Sequence, residues 1–138
     1  LGLLPAMRSL VADYQERRGL PVTIDAPPAL PPLSDEAEVA LFRALQEALA
    51  NVARHASGAS TRVLIRVHAD TILLRVADGG PGFADDGELS RAEAAGHLGL
   101  VGMRERIVAL GGAVRIRSAP GAGVDIEIQV PIFRGVDA

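Results

Sequence analysis

Apolar residues recur every three or four positions at the start of the chain, at Leu3, Leu4, Met7, Leu10, Val11 and Tyr14. That is the spacing of one helix face, and Gly19-Leu20-Pro21 stops it. Val22 to Asp25 follows as a short strand. Ala26 to Leu33 holds Pro27, Pro28, Pro31 and Pro32 and reads as an extended connector, because proline fits neither a helix interior nor a paired strand. The longest helix is predicted from about Asp35 to Ala56, ended by Ser57-Gly58. Two caps are open to it: Ser34, or Asp35 with Glu38 three residues on, as in a capping box. Arg62 to Ala69 and Thr71 to Asp78 both alternate and are separated by little more than Asp70, which predicts a tight antiparallel hairpin. Ala84 to Ala95 is acidic and small and suits a mobile flap. A glycine cluster beginning at Gly96 then runs into a helix that ends at Gly111-Gly112. Two strands, Ala113 to Ser118 and Val124 to Pro131, close the pattern around the turn Ala119 to Gly123, and residues after Phe133 read as a frayed tail. The order predicts a two-layer α+β sandwich, with helices covering one face of a mixed, mostly antiparallel sheet.

The 138 residues suit one domain with a real core; no repeat or linker suggests a second. With 49% hydrophobic but only 3% aromatic residues, that core is built from Leu, Val, Ile and Ala. Cysteine is absent, which excludes disulfides and thiolate metal sites and suits a reducing compartment. The net charge of −3 gives no general attraction to nucleic acid. All 14 basic residues are Arg, so a Walker A loop and Schiff-base chemistry, which both need Lys, are excluded. No apolar run reaches the ~18 residues of a spanning helix, and no signal peptide is visible. The chain begins at Leu1 inside an amphipathic stretch and reads as a fragment of something longer.

Three stretches carry candidate chemistry. On the long helix, Leu41, Leu45, Leu49, Val52 and Ala56 share one side, while Arg43, Glu47, Asn51, Arg54 and His55 gather on the other. Such a stripe is either a solvated face or a site. Asn is a poor helix former, so Asn51 gains nothing there unless its oxygen has a job. In Asp78-Gly79-Gly80-Pro81-Gly82-Phe83, an alternating strand stops at a carboxylate and opens into glycines. That is either a plain Asp turn or a pocket rim, with one fixed acceptor and backbone that something can approach closely. The run Gly96 to Arg106 is either a hinge with close helix packing at Gly102, or a helix start whose N–H groups meet phosphate.

Taken in order, these stretches resemble the ATP-binding domain of sensor histidine kinases, in the superfamily shared with gyrase, the MutL repair ATPases and a heat-shock chaperone. Gln46 to Ala56 resembles the N box, Asp78 to Phe83 the first glycine box, and Gly96 to Arg106 the second. Asn51-Val52-Ala53-Arg54-His55-Ala56 and Gly99-Leu100-Val101-Gly102-Met103-Arg104-Glu105-Arg106 resemble the subfamily of the NarX and DesK kinases, which partners NarL-type response regulators. The resemblance covers roughly Leu3 to Ile132 and implies the Bergerat form of the sandwich.

It also implies roles. Asn51 would offer its oxygen to Mg²⁺, and Glu47 would orient or deprotonate the imidazole that attacks the γ-phosphate of ATP. Arg54 and His55 would lie near the phosphates, and Asp78 would accept from the adenine amine. Gly80 and Gly82 would let base and lid seat closely, while Gly99, Leu100 and Gly102 would bring lid backbone to the phosphates. The flap, Ala84 to Leu98, would be that lid and poorly ordered without nucleotide. One departure matters: many relatives have Gly-Thr where this chain has Gly123-Val124, and losing that hydroxyl costs ~1 kcal/mol, roughly five-fold in affinity. His55, His68 and His97 are the only histidines, and none lies in a dimerisation helix. The expected acceptor is therefore a His on a separate dimerisation domain, with a NarL-type regulator downstream, no direct contact with nucleic acid, and a homodimeric, cytoplasmic setting. A regulatory ATP-binding module, or a serine kinase of the anti-sigma-factor type, is the rival reading.

Overall fold

The computed structural model describes residues 2–56, 58–82, 91 and 99–132. In chain order the elements are α1 (Leu3–Arg18), β1 (Val22–Asp25), α2 (Asp35–His55), β2 (Thr61–His68), β3 (Thr71–Asp78), α3 (Leu100–Ala109), β4 (Ala113–Ala119) and β5 (Gly123–Pro131). The strands form one sheet in the order β1-β2-β3-β5-β4. β1 runs parallel to β2, and every other neighbouring pair is antiparallel. The α+β sandwich with a mixed, mostly antiparallel sheet is thus the observed architecture. Ser57, Phe83, the flap from Ala84 to Ala95 apart from Arg91, Gly96 to Leu98, and the tail from Phe133 lie outside the described residues.

Each helix ends for a local reason. Gly19 takes a left-handed φ of 63° after α1, and its N–H reaches back to the carbonyl of Tyr14. Gln15 then donates from Nε2 to the Val22 carbonyl at 2.6 Å, which ties α1 to β1. For α2, the cap is Ser34, whose Oγ accepts from the Ala37 N–H at 3.1 Å. The three acidic residues Asp35, Glu36 and Glu38 sit in that first turn, where the helix dipole favours negative charge.

α2 is the central helix and packs against α1, α3, β3 and β5. Its buried side is wider than the leucine spacing suggests. Ala37, Ala40, Ala44 and Ala48 are buried beside Leu41, Leu45 and Leu49. Small side chains there leave room for two neighbouring helices. The sheet supplies the other half of the core: Val63 lies opposite Val76, Val76 opposite Ile126, and Ile126 opposite Ile116. On the outer face the same register aligns Leu64, Arg75, Glu127 and Arg115, and Arg75 makes a two-pronged contact with Asp125 at 2.9 and 2.5 Å. Among the described residues no helix is long and apolar enough to cross a membrane.

The β2–β3 hairpin turns through Ala69 and Asp70, since His68 pairs directly with Thr71. Ala69 has a φ of 53°, and no other non-glycine described residue has a positive φ. An L side chain pays about 1–2 kcal/mol in the left-handed region, partly offset by the lower entropy of the unfolded alanine chain. Ala69→Gly is therefore expected to leave stability unchanged or raise it by up to about 1 kcal/mol, read from urea unfolding. A loss of 1 kcal/mol would show that the alanine methyl makes a contact that outweighs the strain.

Candidate functional site

β3 ends at Asp78, in register with Thr61 of β2, itself 1% exposed. The backbone then turns off the sheet, held by the Gly79 N–H donating to the Ser60 carbonyl at 2.9 Å. Asp78 Oδ1 accepts two backbone hydrogen bonds, from Gly80 at 2.9 Å and from Val124 at 3.3 Å. One carboxylate oxygen is thus spent on fixing the side chain. Oδ2 makes no hydrogen bond among the described residues and is available to a ligand donor.

The glycines around Asp78 are required by the chain's own packing. A Cβ on Gly80 would lie 2.5 Å from the Ala56 Cβ and 2.9 Å from Asp78 Oδ1. At Gly82, with φ 69°, it would run into the Ala119 carbonyl and lie 2.9 Å from the Gly123 carbonyl. At Gly123, with φ 77°, it would overlap the Asp78 carbonyl. The glycines let the β3 end, the α2 end and the β4–β5 turn meet backbone to backbone, and Gly121 N–H donates to the Pro81 carbonyl across that junction at 2.7 Å.

The polar stripe on α2 divides in the structure. Asn51 is 7% exposed and belongs to the buried side of the helix, while Arg43, Arg54 and His55 are exposed and Glu47 is half-buried. Asn51 Oδ1 accepts from Arg54 Nη2 at 2.5 Å. The Glu47 carboxylate lies against Gly99, the left-handed residue that begins α3; a Cβ on Gly99 would overlap Glu47 Oε2. Gly102 differs. Among the described residues, the nearest atoms to a Cβ there are those of the Arg106 guanidinium, from 3.5 Å, an ordinary contact, so close packing against these residues does not require this glycine.

Between these parts the core is left open. A cavity of about 230 Å³ is lined by Ala48, Asn51, Val52, His55 and Ala56 of the α2 side, Leu100 of α3, and Val76, Asp78, Gly82, Ile116, Val124 and Ile126 of the sheet side. Its floor is the row Val76, Ile126, Ile116, three cross-strand neighbours. The structure therefore brings Asn51, His55, Asp78, Gly82 and Leu100 around one space. Glu47, Arg54, Gly80, Gly99 and Gly102 are not among its lining residues. The cavity is smaller than the ~300–1,000 Å³ of sites that enclose a whole drug-sized ligand, so it suits a flat group whose remainder lies outside.

Several lining residues were invisible as such in the sequence. Val76, Ile116 and Ile126 carry the same alternation as core residues, and Ala48 and Val52 the same helical period. Only the three-dimensional gap makes them walls. Val124 was read for its missing hydroxyl; the structure adds that its backbone N–H holds Asp78.

The donor set suits an adenine nucleotide with a hard metal. The cavity has apolar faces for a flat ring and a carboxylate for an exocyclic amine. Among the described residues no group of three or more His, Asp or Glu could hold a metal alone. A Mg²⁺ ion here would take the Asn51 oxygen and complete its shell with phosphates and water, as that ion prefers.

Fold and site together define a nucleotide-binding sandwich. Residues 36–134 match the model of the family described as histidine kinase-, DNA gyrase B-, and HSP90-like ATPase, and the chain belongs to that family. It is 35% identical over 132 residues to the signal transduction histidine-protein kinase/phosphatase DegS of Brevibacillus brevis, covering 96% of this chain and 33% of that protein. It is 32% identical over 132 residues to the sensor histidine kinase LiaS of Bacillus subtilis, covering 96% and 35%. Its fold matches the histidine kinase domain of the Erythrobacter litoralis blue-light activated kinase with a TM-score of 0.76 at 17% identity, over 96% of this chain and 62% of that one. The catalytic domain of the histidine kinase ThkA matches with a TM-score of 0.76 at 14% identity, over 95% and 92%. The chain is an ATP-binding catalytic domain of the sensor histidine kinase type, and it spans about a third of the length of these curated relatives.

The two kinds of glycine should separate by mutation. Gly80→Ala forces a Cβ into Ala56 and Asp78, and is expected to cost about 1–3 kcal/mol, as overpacking does. Gly102→Ala has room, and is expected to stabilise the helix by about 0.5–1 kcal/mol. Thermal unfolding of both variants checks this; equal losses would contradict the packing described.

Proposed function

We propose that this chain binds Mg-ATP and transfers the γ-phosphate to a histidine on a separate dimerisation domain, in two-component signalling. The observation that carries the reading is that Asn51 and Asp78 line one cavity, one from the helix side and one from the sheet side. A nucleotide long enough to touch both would be read at the base and at the phosphates at once.

In this reading Asp78 accepts from the adenine amine with the oxygen that its backbone donors leave open. The apolar floor takes the face of the base, and Val124 forms wall there without contributing a hydroxyl. Asn51 holds the metal through Oδ1; when bound, Mg²⁺ neutralises charge on the phosphates. Arg54 and His55, at the C-terminal end of α2, face the phosphate region. Gly99, Leu100 and Gly102 bring the start of α3 toward the phosphates, and the absent side chain at Gly102 leaves space for them.

Glu47 supplies the proton chemistry. The acceptor imidazole attacks γ-phosphorus, a P–N bond forms as the bond to ADP breaks, and the imidazole proton passes to the Glu47 carboxylate. Little covalent work is asked of the protein, since phosphoryl transfer depends mainly on alignment and charge neutralisation. The partners implied are the dimerisation domain of the same protein as a homodimer, and a NarL-type response regulator that takes the phosphoryl group. The setting is cytoplasmic, where ATP is supplied.

Two measurements test this. Asn51→Ala is expected to lower Mg-dependent ATP affinity or turnover at least tenfold, roughly the loss of one charge-assisted contact, while Asp78→Asn weakens adenine recognition. Unchanged Mg-ATP titrations for both variants would contradict the assignment. Incubating the chain with labelled ATP and a dimerisation-hairpin fragment should give acid-labile phosphohistidine on the hairpin. Acid-stable phosphoserine on another partner would instead favour a serine kinase.

A further inference from the structure

We propose that the sheet face turned away from the helices is a docking surface for an acidic segment of another protein. The proposal does not depend on what occupies the cavity, which lies on the other side of the sheet.

The strands bury one set of alternate residues, among them Val63, Ile65, Leu74, Val76, Ile126 and Ile128. The other set is exposed or half-buried. Its charge is unbalanced. At its strand positions the register places five arginines, Arg62, Arg66, Arg75, Arg115 and Arg117, against Asp25, Asp125 and Glu127. The whole chain carries −3, so a positive surplus is gathered on one face of an acidic molecule.

Two of these arginines have carboxylate partners. Arg66 pairs with Asp25 at 2.9 Å, and Arg75 with Asp125 at 2.5 Å. The side chains of Arg62, Arg115 and Arg117 make no ion pair or hydrogen bond among the described residues. Beside Arg62 the face is also hollowed. A basin of about 260 Å³ is lined in part by Arg62, Arg66 and Arg75, with the half-buried Leu64 and Ala77 between them. A glutamate or aspartate fits there, its carboxylate on the unpaired Arg62 fork and its methylene carbon against Leu64 and Ala77.

The second contact point is on β4. In the order β2-β3-β5-β4, Arg115 and Arg117 stand three strands from Arg62, or about 14 Å. An extended segment of about four or five residues covers that span. Asp125 and Glu127 lie between the two basic ends. That pattern favours a protein segment, which can be acidic at its ends and neutral or basic in its middle. An anionic lipid surface would set its charge against both carboxylates. A second copy meeting this face with its own would oppose the same positive surplus to itself.

The test is fluorescence polarisation at low salt, with a short fluorescein-labelled peptide that has paired glutamates at both ends and a neutral centre. The chain is expected to bind it, and to release it as salt is added. Replacing Arg62, Arg115 and Arg117 together by Ala should weaken binding roughly tenfold, as the loss of three exposed charge contacts does. A charge-matched control replaces Arg8, Arg17 and Arg43, exposed on the helix layer, and should change it less than twofold. Equal losses in the two triple variants would show attraction to general charge and overturn the proposal, as would no binding by the wild-type chain. Tighter, Arg62-dependent binding to phosphatidylserine vesicles than to the peptide would overturn it in favour of a membrane. Arg62-dependent self-association in sedimentation would overturn it in favour of a second copy. Thermal unfolding checks that each triple variant is folded, and the single variants take its place where one is not.

Discussion

The Asp78 carboxylate accepting the backbone N–H groups of Gly80 and Val124 is the interaction on which the site depends. It joins the end of β3 to the start of β5, next to a glycine whose Cα lies against the Asp78 carbonyl. Both donors are backbone groups, so the anchor asks little of the side chains around it. It does ask that Gly80, Gly82 and Gly123 carry no Cβ. The glycine-rich stretch is therefore first a packing device, and only through that a rim for a ligand. A carboxylate fixed by two backbone donors keeps its remaining oxygen aimed without further help, which is what selective recognition of an amine demands.

The opposite wall depends on α2. That helix buries leucines and alanines together, packs against α1, α3, β3 and β5, and borders the cavity with its C-terminal third. Here burial reverses the meaning of a residue. A polar amide within a helix's buried side would normally count against stability, and Asn51 is tolerated because its oxygen meets the Arg54 guanidinium. At this end of the helix the Arg54 guanidinium sits on the Asn51 oxygen, and the Glu47 carboxylate lies against Gly99 at the start of α3.

Much of this was legible in the sequence. The alternation of β2, β3 and β5 and the period of α2 follow directly from burial on one face, and the helix stops follow from Gly19, Gly58 and Gly111. The motif order in Glu47 to His55, Asp78 to Gly82 and Gly99 to Gly102 pointed to the family. Other features could not be read. Period alone places Asn51 opposite the leucines and leaves a solvated face and a site equally open; its burial, beside Leu100 of α3 and the sheet residues of the cavity, is visible only in the structure. The choice of Ser34 over the Asp35–Glu38 pair as cap depends on backbone geometry at one residue. The positive φ of Ala69 carries no sequence signal, since alanine is not the residue that conformation prefers. The cavity itself is a difference between core side chains that meet and core side chains that do not, and a pattern of hydrophobic positions is the same in both cases.

The central claim is that one nucleotide bridges Asp78 on the sheet and Asn51 on the helix. Nitrogen-15 NMR during a Mg-ATP titration tests it most directly, following the backbone amides of Gly80 and Val124 together with the side-chain amide of Asn51. The account predicts that all three shift along one saturation curve with a single Kd. Movement at the Asp78 end alone, or at the Asn51 end alone, or two unrelated binding curves, would contradict it.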